Sequence, residues 1–202
     1  MLENFADLGL WLLGVVVMAA AIHYGFVRLY PYLAMRVVFK KGAKQLGINE
    51  IAHRKKPTAR MRVVVRPSPD LVYSGCVFDL SKGPLQICAQ LPGTYMSVSM
   101  YASNTDNFFS LNDREVESDQ LNLLLVGPQK LPAALREQIL QDPSAPLIVR
   151  SPSRKGIVLL RYFYDGSEAE AEQVEHIRRQ TTVSPWRAYA PTPPVQNLSS
   201  ES

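Results

Sequence analysis

Six side chains in this sequence have the types that hold a polar ligand or move a proton: Asp70, Tyr73, Asp79, Asn104, Asp106 and Asn107. Two carboxylates that share a cleft can divide the work of general acid and general base, and neighbouring amides can orient a small polar molecule. They stand here as a candidate ligand-binding cleft. The competing reading is that Asp and Asn at strand ends make turns, because their short side chains bond to the backbone two residues on.

Other chemistry is thinner. The chain has no G-x-S-x-G elbow and no Gly-rich phosphate loop, so no catalytic residue is assigned. The run NTDNFFSLNDRE has the acidic and amide content of a calcium loop, yet with Asn104 in first place Phe109 stands where such a loop requires glycine. Glu168, Glu172 and His176 recur every fourth residue on one helix face, a spacing that can hold a divalent ion but equally describes a solvated surface. No metal and no cofactor is assigned. Cys76 and Cys88 are the only cysteines and lie symmetrically about Lys82. If the segments on either side form a hairpin over Ser81-Lys82-Gly83-Pro84, the two thiols are cross-strand neighbours, bridged in an oxidising compartment and free in a reducing one.

The elements that position these groups begin with an oily segment. Residues 8–27, LGLWLLGVVVMAAAIHYGFV, carry no formal charge, and about twenty residues at about 1.5 Å of rise each cross a hydrocarbon core of about 30 Å. A secretory signal has a basic region before its apolar core, whereas MLENFAD contains Glu3 and Asp7 and neither Lys nor Arg. An uncleaved transmembrane helix over 8–30, after a short tail at 1–7, is therefore expected, with His23 beside Tyr24 and Tyr30 in an interfacial belt.

The net charge of +4 hides a segregation. Residues 1–27 hold 0 basic and 2 acidic groups, residues 28–66 hold 11 and 1, and residues 67–202 hold 11 and 15. The basic excess directly follows the span, and Arg28, Arg36, Lys40, Lys41, Lys44, Arg54, Lys55 and Lys56 are expected at a membrane surface, on anionic headgroups. Such flanks stay on the cytoplasmic side, so the rest of the chain is placed in the cytoplasm, with the periplasm as the alternative. No nucleic acid is expected, because no aromatic side chains interleave the cations from Lys40 to Arg66.

Residues 31–60 read as a basic juxtamembrane helix, lying in the interface or emerging from the bilayer after a kink at Pro31, and then a connector. Residues 61–166 read as one β domain. Short apolar runs, MRVVVR, YSGCVFDL, LQICAQL, TYMSVSMYA, NLLLV, PLIVR and GIVLLRYFYDG, alternate with turn residues at roughly ten-residue spacing, which predicts an antiparallel sandwich or jelly-roll with short accessory helices. In TYMSVSMYA the Tyr and Ser residues face one side and Met96, Val98 and Met100 the other, as in a half-buried strand. LPAALREQIL predicts one short helix, residues 167–180 another, and 181–202 a Pro-rich disordered tail.

The central stretch, residues 66–164, resembles the bacterial family known as domain of unknown function twelve-fifty-four. The resemblance lies in S-P-D-L-V-Y at 68–73, F-D-L-S-x-G-P at 78–84, P-x-x-Y at 92–95, N-T-D-N-F-F at 104–109 and V-G-P at 126–128. It implies a mostly β, jelly-roll-like domain without an established biochemical role. Longer members join this domain to a second one, which implies a separately encoded protein partner carrying the complementary half. The expected function is a single-pass bacterial inner-membrane protein whose β domain is a protein-interaction module; the alternative is an envelope- or lipid-related ligand-binding protein or hydrolase using the polar cleft.

Overall fold

The computed structural model describes residues 2–57, 67–129, 137, 145–164 and 167–186. The expected strand at 61–66, the tail at 187–202 and nearly all of the expected helix at 131–140 lie outside them.

One helix, α1, runs from Leu2 to Leu46. It is long and apolar enough to cross a membrane, and its large side chains from Leu8 to Val27 are uncovered by the rest of the protein. The helix does not end at Pro31, where a kink is expected: α1 continues through it into the segment expected as a juxtamembrane helix. The reason is packing. Burial recurs at Pro31, Ala34, Met35, Val38, Phe39, Gly42, Ala43 and Leu46, the i, i+3, i+4 rhythm of a helix face seated on a sheet, which compensates the one hydrogen bond that proline forfeits. Gly47, at φ +86°, ends the helix, and a Cβ there would lie 2.5 Å from the Glu50 carboxylate.

Nine strands follow among the described residues: β1 (Ile51–His53), β2 (Leu71–Asp79), β3 (Leu85–Gln90), β4 (Met96–Ala102), β5 (Asn107–Asn112), β6 (Gln120–Val126), β7 (Leu147–Arg150), β8 (Lys155–Phe163) and, after a further helix α2 (Glu168–Arg179), β9 (Thr182–Pro185). They form two sheets, ordered β1-β2-β8-β4-β5 and β7-β6-β3-β9. All pairs are antiparallel except β6–β7, which is parallel. Alternate residues of β2, β4 and β8 meet those of β3 and β6 in one core that includes Phe78, Ile87, Met96, Met100, Leu123, Leu160 and Tyr162, each such side chain contributing about 1.5–3 kcal/mol by leaving water. The mostly β domain expected from the strand pattern is present, with its N-terminal helix.

Its wiring departs from expectation in four places. First, β2 and β3 are not a hairpin, because they lie in different sheets. A 3-10 turn at Leu80–Lys82, capped by the Asp79 side chain on Ser81 N, buries Leu80 in the core and throws the chain from one layer to the other. Second, Cys76 and Cys88 are therefore not neighbours: Cys76 pairs with Ile51 and Val158, Cys88 with Asn122 and Thr182, and both are free thiols. Third, β4 is buried on both faces, because the Arg161 side chain lies over its outer face and donates to Ser99 Oγ (2.9 Å) and Tyr101 Oη (3.1 Å). Fourth, β1 and β9 lie outside 61–166 yet complete the two sheets; β9 occupies part of the expected tail, with Thr182–Pro185 pairing Leu85–Cys88.

Candidate functional site

The six candidate polar residues do not line one cleft. Tyr73 and Asp79 are six positions apart on β2, about 20 Å at about 3.3 Å per residue. Asp79 belongs with the β4–β5 turn, because it faces Lys155 across β8 while Gly156 faces Ala102 at the start of that turn. There Asn104 Oδ1 accepts from Asp106 N (3.3 Å) and Asn107 Oδ1 from Phe109 N (3.2 Å), and Thr105 sits at φ +71°. These are turn-forming bonds. Asp79 accepts from Ser81 N (3.0 Å) and pairs with Lys155 Nζ (3.1 Å). Burial alone would raise its carboxyl, but the Ser81 bonds and the Lys155 ammonium hold it below the ordinary carboxylate value.

Asp70 and Tyr73 lie at the other end, where α2 packs against the sheet. The Asp70 carbonyl accepts from Tyr164 N (2.9 Å), and Tyr73 Oη accepts from Ser68 N (2.9 Å). Beside them opens a groove of about 510 Å³. Its apolar wall is Val72, Tyr164, Ala171 and Val174, and its rim is Lys56, Glu172, Glu175, His176, Arg178 and Arg179. Of the six candidates none lines it by a side chain. The cations expected on a membrane surface are split as well. Arg28, Arg36, Lys40, Lys41 and Lys44 are exposed along α1, whereas Arg54, Lys55 and Lys56 follow β1 toward the groove, because β1 pairs antiparallel with β2 and carries the chain away from the α1 seat.

The groove is built by Arg178. Its residue is 4% exposed, and its guanidinium donates from Nη1 to the carbonyls of Arg54 (2.9 Å) and Tyr73 (3.2 Å) while pairing with Glu175. Glu175 also receives Arg179 Nε at 2.7 Å. Burial pushes the Glu175 carboxyl up, but the bonds from Arg179 and Arg178 outweigh it and keep the group below its ordinary value. Lys56 Nζ sits 3.7 Å from the centroid of the Tyr164 ring, a cation–π contact at the lip of the groove.

One arrangement near the groove has the distance of an activated nucleophile: Ser74 Oγ lies 2.8 Å from His53 Nδ1. Ser74 is 0% exposed, inside the core, so no substrate reaches it and the bond satisfies a buried hydroxyl. Burial and then Arg178 lower the His53 pKa, with Glu175 opposing them. Glu172 and His176 both reach the groove, but the ring Nε2 of His176 is 2.9 Å from Gln180 Nε2, and among the described residues no three His, Cys, Asp or Glu side chains are grouped to hold a metal. The sequence shows no local sign of this groove, since its residues come from 56, 72, 164 and 171–179.

A family model described as protein of unknown function (DUF1254) matches residues 48–185. No curated protein matches the chain. Among solved structures, the VPA0106 protein from Vibrio parahaemolyticus is similar in fold, with a TM-score of 0.58 and 12% identity over 83% of this chain and 41% of that one. An uncharacterized protein from Burkholderia cenocepacia gives a TM-score of 0.45 and 14% identity over 86% of this chain and 44% of its own. The chain thus spans less than half the length of either.

Proposed function

The chain belongs to the DUF1254 family of proteins of unknown function, and from that premise we propose that it is a single-pass membrane protein whose β sandwich binds a partner protein. The observation that carries this reading is the uncovered aromatic surface at the groove end of the sheet. Tyr95 and Phe163 adjoin across the β4–β8 pair, Phe163 N donating to Tyr95 O (2.8 Å), and both rings are exposed on the outer sheet face. The groove opens at the same end of the sheet, where Tyr164 follows Phe163 in the chain and forms part of the apolar wall, with Lys56 and Arg179 at the rim. Exposed aromatics, an apolar pocket and an arginine-bearing rim are the composition of a protein interface centre, and uncovered apolar patches on a folded domain mark interaction sites.

The length of the Vibrio protein supports the same reading, because there the fold accounts for 41% of a longer chain. On this reading the partner is a separately encoded protein carrying the complementary domain, and α1 holds the sandwich at the bacterial inner membrane. Arg28, just past the apolar run, lies on anionic headgroups and helps retain the sandwich in the cytoplasm.

The test is isolation of the full chain from native membranes in mild detergent, as wild type and as a Tyr95→Asp/Phe163→Asp double variant. A partner held at fixed stoichiometry by the wild type and lost from the equally folded variant is the expected result. Recovery of the wild type only as a monomer overturns the proposal.

A further inference from the structure

The far half of α1 has two faces. One is seated on the sandwich through Met35, Phe39 and Gly42, so closely that a Cβ on Gly42 would lie 2.6 Å from Val77 Cγ2. The opposite face presents Arg36, Lys40 and Lys44 at successive i, i+4 positions, all exposed, with Leu33 (57% exposed) and Val37 (51%) between and before them. Among the described residues none of these three cations is in an ion pair; the ion pairs present are Lys155–Asp79, Arg178–Glu175 and Arg179–Glu175. Like charges at i, i+4 each cost a helix about 0.2–0.5 kcal/mol, and no side chain of the sandwich relieves that cost.

Anionic lipid does not reach Lys40 and Lys44 on this face if α1 spans the bilayer. Trp11 and Tyr30 mark interfacial belts about 28 Å apart along the helix, the thickness of a hydrocarbon core. Because α1 is continuous through Pro31, Lys40 stands about 15 Å and Lys44 about 21 Å beyond Tyr30. The headgroup layer is only about 6 Å deep on each side, and the field of an anionic leaflet decays within about 8 Å at physiological salt. A second copy of the chain would bring its own cations to the same face and repel.

From this geometry we infer that Leu33, Arg36, Val37, Lys40 and Lys44 form a docking face for an acidic amphipathic helix of the partner protein, with carboxylates on the cations and apolar side chains on Leu33 and Val37. The inference rests on the partner-binding reading above and assigns it a second contact, on the side of α1 opposite the sandwich.

Zero-length carbodiimide cross-linking of the full chain in native membranes tests it, since the reagent joins an amine only to a carboxylate already in contact. The expected result is amide products from Lys40 and Lys44 to Asp or Glu of another polypeptide. An Arg36→Glu/Lys40→Glu/Lys44→Glu variant, with an unchanged thermal transition, retains roughly tenfold less partner, while Lys40→Arg/Lys44→Arg retains the partner and loses the cross-links. Products to that partner from other lysines alone overturn the docking face and leave the partner reading intact. No intermolecular product in any variant, together with monomeric wild type, overturns both. Products only between copies of this chain overturn the acidic occupant. So does protection of Lys40 and Lys44 from acylation that rises with the anionic lipid fraction in nanodiscs of the purified chain.

Discussion

Arg178 on α2 and Tyr73 on β2 are joined through the backbone: Arg178 Nη1 donates to the Tyr73 carbonyl at 3.2 Å, the same carbonyl that accepts Arg54 N at 3.0 Å. A single buried guanidinium thereby ties the C-terminal helix, the end of β1 and the start of β2 into one wall of the groove. Replacing it with alanine takes the donor from the Arg54 carbonyl, one of two donors from the Tyr73 carbonyl and one of two cationic partners from Glu175, and opens a void at the buried helix end. Arg178→Ala is expected to cost about 2–4 kcal/mol, read as a fall in the thermal midpoint of the full chain in detergent. Glu175→Gln, whose side chain is 36% exposed, is expected to cost no more than about 1 kcal/mol. Equal losses from both substitutions contradict this account.

His53 makes the fold sensitive to mild acid. Burial first, and Arg178 second, lower its pKa from the ordinary value of 6.5, so the folded chain holds it neutral against Ser74. A depressed group contributes stability that is fully present above its unfolded value and is lost as the pH falls through its folded value. The thermal midpoint is therefore expected to fall between pH 7 and pH 5, and His53→Gln to flatten that slope. An unchanged slope in the variant removes His53 as the cause. Asp79 and Glu175, also depressed, add a second loss only below their ordinary values of 3.8 and 4.5.

The two thiols, placed in opposite sheets, are expected to stay unbridged and to differ in reactivity. Burial pushes the Cys76 thiol up to about 12, whereas Cys88 is partly exposed and raised less, its hydrogen bonds from Thr182 and Gln86 opposing burial. A thiol reagent is expected to modify Cys88 in the folded protein and Cys76 only on unfolding, because the thiolate is the reacting form. A mass two hydrogens short in the unreduced protein contradicts the prediction.

Two glycines on paired strands should respond oppositely to alanine. A Cβ on Gly156 would lie 2.2 Å from the Tyr101 carbonyl and 2.5 Å from the Phe78 ring, where a backbone atom blocks any relief. Gly156→Ala is expected to cost about 3 kcal/mol or more by forcing β4 and β8 apart. At Gly75 the nearest atom is the Val158 carbonyl at 3.7 Å, an ordinary contact, and Gly75→Ala is expected to change stability by less than about 1 kcal/mol. Thermal midpoints of the two variants, measured side by side, decide the matter.

Legibility followed the range of each interaction. The apolar run from Leu8 to Val27, the strand alternation of β2 and β8, and the turn role of Asn104 and Asp106 are all written in a few adjacent residues, and so the β-rich class and the candidate membrane helix were readable. Which strand lies beside which was not. The alternation of β2 and β3 tells which face of each is apolar, but the same pattern suits either sheet, and the pairing of Leu71–Asp79 with Lys155–Phe163 joins segments more than seventy residues apart.

The candidate site suffered the same fate. Six polar residues close enough in sequence to suggest a cleft are parted by the length of a strand, and the groove that does form draws on Lys56, Val72, Tyr164 and α2. Arg178 reads in sequence as a cation at a helix C-terminus, suited to the dipole; only docking of α2 onto the sheet end makes it a buried donor to Tyr73. Periodicity and composition report what a residue's own element requires of it, whereas contacts between distant elements depend on how two layers close over one core, and no stretch of neighbouring residues carries that information.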